Sequence, residues 1–216
     1  MPADLRLKQD VIEELGWEPS INAARIGVMV NDGVVTLTGH VSSYTEKWHV
    51  ERAAQRVRGV RGVTIEIDVE LPGSSKRDDA DIARATDASL QWMTLLPADS
   101  VKVMVENGWI TLSGSVDWEY QRKAAASEMR YLLGVRGISN YIALNPTITL
   151  AAIKSDIEKA LKRRAQLDEK NISFEVVGSE LTLTGTAKNL YECEFASHLA
   201  WATPGVKSVV NRIHVV

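Results

Sequence analysis

The chain has 216 residues, 45% of them hydrophobic and 25% charged, with a net charge of −3. That is the balance of an ordinary globular protein, and it argues against a generic nucleic-acid binder, whose phosphate contacts call for a basic face. A single cysteine, Cys193, leaves no internal disulfide, and no stretch approaches the ~20 apolar residues of a membrane-spanning helix. The opening M-P-A-D-L-R-L-K-Q-D lacks the apolar core of a secretory signal. With Met1 as the native start, the expected location is the cytoplasm.

In chain order, Leu7, Val11 and Leu15 fall at i, i+4 and i+8 and predict an amphipathic helix. Asp4 or Asp10 supports its N-terminal end, and Gly16 and Pro19 stop it. Ile26, Val28 and Val30 predict a strand with one buried face. Asp32-Gly33 are residue types that tolerate positive φ in a tight primed turn. In the return strand Val35 and Leu37 face inward, Thr36 and Thr38 face outward, and Gly39 closes it. Ser43 and Glu46 fit a capping box that opens a second helix, with Val50, Ala54 and Val57 on its inner face. Gly59 stands where a helix C′ glycine belongs. Val63, Ile65, Ile67 and Val69 alternate with polar and charged residues as a third strand, completing an α-β-β-α-β order.

This unit occurs three times. V-N-D-G-V-V-T-L-T-G-H-V (Val30 to Val41) returns as V-E-N-G-W-I-T-L-S-G-S-V (Val105 to Val116) and V-V-G-S-E-L-T-L-T-G-T-A (Val176 to Ala187). G-V-R-G-V at Gly59 returns as G-V-R-G-I at Gly134 and G-V-K-S-V at Gly205. The units span residues 1–71, 79–146 and 147–216, with the turn-rich segment 72–78 as a linker. In the second unit the helix and strand positions recur as Ile82 and Leu90, then Val101, Val103 and Val105, then Ala125, Met129 and Leu132, and finally Ile138, Asn140, Ile142 and Leu144. In the third they recur as Ile153, Ile157 and Leu161 on the first helix, with Asn189 and Glu192 capping the second. Period 3.6 and period 2 kept in the same order three times mark a true repeat. The fold class expected is α+β: three tandem α-β-β-α-β sandwiches, each a small three-stranded mixed sheet covered by two helices. Units of about 70 residues bury only about 60% of their unfolded surface, so they are expected to pack on one another or on a second chain.

The D/N-G-x-[VI]-T-L-[TS]-G hairpin, the capped helix behind it and the G-V-x-x-V entry to the last strand together resemble the BON domain, over nearly the whole chain. The third unit departs in having Ser179 where the turn glycine stands. The resemblance implies a non-catalytic role, binding to phospholipid or another hydrophobic surface, and service in osmotic or envelope stress. Most relatives of this kind are exported.

The residues offer several candidate sites. Gly39, Gly114 and Gly185 coincide across the units, and Gly59, Gly134 and Gly205 do so as well; each is either a backbone necessity at a sharp turn or a place where a ligand approaches the main chain. Arg61, Arg136 and Lys207 also coincide. They either neutralise the C-terminal dipole of the second helix or meet phosphate headgroups, with Arg52, Arg56 and Arg58 adding charge beside Arg61. Trp17 and Trp92 coincide at the end of the first helix, which suggests shared packing, with an inter-unit or inter-chain contact as the alternative. Trp109 takes an outward position held by Val34 and Glu180 in the other units, and Trp118 and Tyr120 open a helix; these are candidate interface aromatics. None of His40, His49, His198 and His214 recurs, so no metal site is expected. No P-loop, nucleophile elbow or dinucleotide fingerprint is present, and no cofactor is expected. The sequence thus points to a non-enzymatic binding module for anionic phospholipid or another hydrophobic or anionic surface. The alternative is a protein scaffold or a self-assembling homo-oligomer, with a pore or transport role as a third reading.

Overall fold

The structure is a computed structural model that describes residues 3–145, 172–177, 180–203, 206 and 208–216. The expectations placed on Ile153, Ile157, Leu161, Gly178, Ser179, Gly205 and Lys207 lie outside the described residues.

Among the described residues each repeat folds as the alternation dictates. In the first domain α1 (Ala3–Trp17) leads to β1 (Ile26–Asn31) and β2 (Val34–Val41), then α2 (Tyr44–Arg56) and β3 (Gly62–Val69). The second domain has α3 (Asp79–Trp92), β4 (Val101–Glu106), β5 (Trp109–Val116), α4 (Glu119–Met129) and β6 (Gly137–Leu144). The third shows β7 (Ile172–Val177), β8 (Glu180–Ala187), α5 (Leu190–Trp201) and β9 (Ser208–Val215). Each sheet has the hairpin's return strand at its centre: β5 pairs antiparallel with β4 and parallel with β6, and β8 does the same with β7 and β9. The parallel pairing follows from the helix, which carries the chain back before the last strand is laid down. The fold is therefore the α+β class with mixed three-stranded sheets.

The helix stripe and the inward strand rows meet as the core. Val11, Leu15, Val35, Leu37, Val50 and Ala54 are fully buried in the first domain, joined by Ala53, which the stripe of three did not include. Val57 is only half-buried. The second core gathers Ile82, Leu90, Ile110, Leu112, Val116, Ala125, Met129, Val135 and Ile142, and the third Val176, Leu181, Leu183, Ala196, Ala200 and Val206. Asn140, expected in an inward strand row, ties strand to helix instead: its Nδ2 donates to the Arg122 carbonyl at 2.8 Å and its Oδ1 accepts from the Ile142 amide at 3.1 Å. Asn211 repeats this in the third domain toward Cys193 O and the Ile213 amide.

Thr86 occupies the position of Val11 in the second domain and is fully buried, and its Oγ1 has no hydrogen-bond partner among the described residues. A buried hydroxyl without a partner keeps its desolvation penalty. Thr86→Val is therefore expected to stabilise the second domain by about 1 kcal/mol, read as slower exchange of its core amides.

The second helices of the first and third domains begin as their capping signatures predict, with one adjustment. The Glu46 amide donates to Ser43 Oγ at 3.1 Å, while the Glu46 carboxylate accepts from the Ser42 amide at 2.9 Å, one residue before the cap. Gln121 reaches the Asp117 and Trp118 amides, and Asn189 and Glu192 cap α5.

By packing, the chain parts into two compact bodies: Met1–Gly39, His49–Ile67 and Thr149–Val216 form one, and His40–Trp48 with Asp68–Ile148 the other. Within the first, the Gly59 amide donates to Lys188 O at 3.1 Å, Asn189 Nδ2 donates to Arg56 O at 2.7 Å, and Arg52 pairs with Glu194. Within the second, Thr45 Oγ1 donates to Arg130 O at 2.7 Å, and the Arg130 guanidinium stacks 4.0 Å above the Trp48 ring. Among the described residues no helix is long and apolar enough to cross a membrane.

Candidate binding surfaces

The hairpin turns sit at the centre of a locus built identically in two domains. Asp32 and Gly33 adopt φ of 49° and 79°, Asn107 and Gly108 of 51° and 78°, the pair of positive values that a type I′ turn requires. Such a turn leaves its amides pointing outward, and a carboxylate from the first helix takes them. Asp4 accepts the Asp32 and Gly33 amides at 3.0 and 3.3 Å; Asp79 accepts those of Asn107 and Gly108, both at 2.8 Å. On the far side the Arg61 amide donates to Gly33 O at 2.9 Å, and the Arg136 amide to Gly108 O at 2.8 Å. The helix start, the hairpin tip and the loop after the second helix are thereby latched together.

Arg61 and Arg136 are thus part of the latch. Their aliphatic stems lie against the turn glycine: a Cβ on Gly33 would meet Arg61 Cδ at 3.1 Å, and one on Gly108 would meet Arg136 Cγ at 3.1 Å. Their heads are exposed, the usual division of a long cationic side chain. Gly59 and Gly134, both at φ of 90°, close the same locus, three and five residues past the ends of α2 and α4. Open hollows of 720 and 390 Å³ lie over the two copies. The first is lined by Arg6, Arg58 and Arg61 but also by Asp4, Asp10 and Asp32, so its charge is mixed. Of the cations gathered near Arg61 in the sequence, Arg56 pairs with Glu14 and Glu18 at 3.0 and 3.2 Å and Arg52 with Glu194. Glu18 is held below its ordinary carboxylate range by hydrogen bonds from Ser20 and Arg56, and Arg56 is pushed up by Glu18 and Glu14 against its desolvation. Among the described residues, Arg58 and Arg61 have no ion pair.

Gly39, Gly114 and Gly185 lie within β2, β5 and β8, still paired to the strands beside them, and not at the turn into the helix. Their φ values of 121°, 121° and 132° are glycine territory. A Cβ on Gly39 or Gly114 would sit 2.1 Å from the carbonyl oxygen of Arg25 or Ser100, the residue that leads into the neighbouring strand.

The tryptophans divide. Trp17 and Trp92 are 83% and 86% exposed, so their coincidence does not come from packing within a domain. Trp109, 46% exposed, lies against Gly137 and donates from Nε1 to Ser139 Oγ at 2.9 Å. Trp118 is half-buried at the start of α4, and Tyr120 is exposed. Burial raises the Cys193 thiol above its ordinary value, and Glu192 adds to this; a protonated thiol is a poor nucleophile. Among the described residues no cluster of three or more His, Cys, Asp or Glu side chains is placed to hold a metal ion.

Asp79, and the hold of Asp4 on the turn in place of the helix-end role expected of it, are what sequence reasoning missed. Their identity at equivalent positions was the available signal.

Three small α+β units in series, two of them showing the same latched hairpin, define a tandem-repeat protein. The chain belongs to the BON domain family, which matches residues 3–70, 78–146 and 149–216. Osmotically-inducible protein Y of Escherichia coli strain K12 is 30% identical over 125 residues, which is 56% of this chain and 62% of that protein's length. Among solved structures, CdsD, a structural protein of the type III secretion system of Chlamydia trachomatis, is 17% identical with a TM-score of 0.26, over 96% of this chain and 91% of the other. The PrgH periplasmic domain is 12% identical with a TM-score of 0.24, over 89% of this chain and 95% of the other. Scores that low do not extend to shared function.

Proposed function

We propose that the chain is a non-enzymatic binding module that docks on anionic phospholipid surfaces during osmotic stress. The stress setting is taken from its relation to osmotically-inducible protein Y, whose length it matches only in part. The observation that carries the binding role is the pair Trp17 and Trp92, bare to solvent at the ends of equivalent helices. An indole has an apolar body and one polar N–H, which suits the boundary between headgroups and hydrocarbon. Exposed Arg58, Arg61 and Arg136 supply attraction to a negative surface of about 1 kcal/mol for each cation that reaches it.

Sedimentation with vesicles containing anionic lipid, against neutral vesicles, tests the reading. Binding is expected to the anionic set alone, and Trp17→Ala with Trp92→Ala is expected to weaken it by about tenfold or more. Neither ring supports the fold, so the loss reports contact. Absence of binding to both vesicle types sinks the lipid role.

A further inference from the structure

The second domain differs from its sisters on the sheet face turned away from its helices. Ile110, Leu112, Val116 and Ile142 point into the core, so the alternate residues form an open face in three rows across the strands. These rows are Lys102–Ser113–Tyr141, Met104–Thr111–Ser139 and Glu106–Trp109–Gly137. Met104 is 59%, Trp109 46% and Tyr141 71% exposed, and Lys102 and Glu106 are exposed at opposite ends of β4. The first domain carries Val34 and Glu66 at the positions of Trp109 and Tyr141, and the third Glu180 and Arg212. The same three-stranded sheet forms in all three, so it does not require these aromatics. Their presence on one face of one domain asks for another reason.

We propose that this face pairs with the same face of a second copy of the chain, about a two-fold axis that crosses the strands over the Met104–Thr111–Ser139 row. Such an axis lays strand on strand in opposite directions, and every contact occurs twice. Lys102 then stands opposite the partner's Glu106, and Glu106 opposite the partner's Lys102. Tyr141 stands opposite the partner's Gly137, which is where the partner's Trp109 indole lies flat, so phenol meets indole at both ends. Met104 meets its own copy on the axis. Charge and aromatic character are thus both self-complementary under one operation, the property an isologous contact needs, and aligned sheets pack in this manner. Three strands of this length present a face of roughly 14 by 25 Å. The total hidden area is then about 700 Å², short of the roughly 1,200 Å² of a stable complex. The dimer is accordingly weak and forms at high concentration. This inference does not rest on the lipid reading, which concerns other side chains.

Sedimentation equilibrium of the full chain from about 5 μM to 1 mM reads the association directly. A monomer–dimer equilibrium is expected within that range. Lys102→Glu and Glu106→Lys, each setting like charges face to face, are each expected to raise Kd about tenfold or more. The double variant restores opposite pairing across the axis and is expected to return Kd to within about threefold of the parent. Tyr141→Glu, which installs the first domain's own residue, is expected to abolish dimers without disturbing the fold. A chain that stays monomeric up to 1 mM overturns the proposal. So does a dimer indifferent to the charge exchange, or a monomer whose vesicle binding falls with Tyr141→Glu, which would assign the face to lipid.

Discussion

Gly114→Ala is expected to unfold the second domain. The new methyl carbon would stand 2.1 Å from the Ser100 carbonyl oxygen and 3.1 Å from its carbon, both backbone atoms that a rotamer change cannot move. Relief means separating the start of β4 from β5, where Val101 pairs with Gly114 and the Ser115 amide donates to Ser100 O at 3.1 Å. The φ of 121° adds a backbone penalty, and positive φ of this kind costs an alanine about 1–3 kcal/mol by itself. With the overlap included, the loss is about 4 kcal/mol or more, a large part of what a domain this small possesses. Gly39→Ala repeats the experiment against the Arg25 carbonyl. Gly73→Ala, with nothing within 4 Å of the added carbon, is the control and is expected to change stability by less than about 0.5 kcal/mol. Hydrogen exchange of the β4 and β5 amides separates the outcomes, since a repeat protein need not unfold in one step. Full protection of those amides in the Gly114 variant would show that the strand can yield at this point.

Asp79→Ala is the second large effect, expected to cost the second domain about 2–3 kcal/mol. Its carboxylate holds two amides of the hairpin turn, each at 2.8 Å, and hydrogen bonds to an ionised acceptor are worth about 1.5–3 kcal/mol when little water replaces them. Gly108 is buried, so its amide is the costlier orphan; that of Asn107 lies nearer solvent. Asp79→Asn keeps one acceptor and turns an N–H toward the other amide, so it is expected to recover less than half of the loss. Asp4→Ala, with longer bonds of 3.0 and 3.3 Å, is expected to cost the first domain less. The measurement is denaturant dependence of exchange at the turn amides: loss confined to the tip would mean that the latch holds only the loop, and loss across β4 and β5 that it secures the hairpin to the helix.

Much of the fold was legible because its signals are local. The apolar periods, the positive-φ turn pairs and the S-x-x-E cap each act within a few residues, and threefold repetition separated them from chance. The candidate sites were less legible. Arg61 and Arg136 were visible as coincidences, yet their role as stems across the turn glycine depends on a loop that returns from the far end of α2 or α4. Asn140 breaks an apolar row, and only the packed helix shows that it binds the Arg122 carbonyl. The coincidence of Trp17 and Trp92 suggested shared packing, with an inter-unit or inter-chain contact as the alternative, and only their exposure in the folded domains decides against packing within a domain.

By itself the sequence determined the repeat, the α-β-β-α-β order in the first two units and the strands and second helix of the third, the position of every described hairpin and most of the core positions. The reason is that helix and strand periods together with turn stereochemistry are short-range properties of the chain. The tertiary structure alone decided that Asp4 and Asp79 each hold a turn nearly thirty residues away, that the strand glycines clear a neighbouring carbonyl, and that one sheet face in three is left aromatic and open. Those outcomes depend on which distant groups the folded topology brings within hydrogen-bonding or van der Waals reach, and no short-range pattern records that.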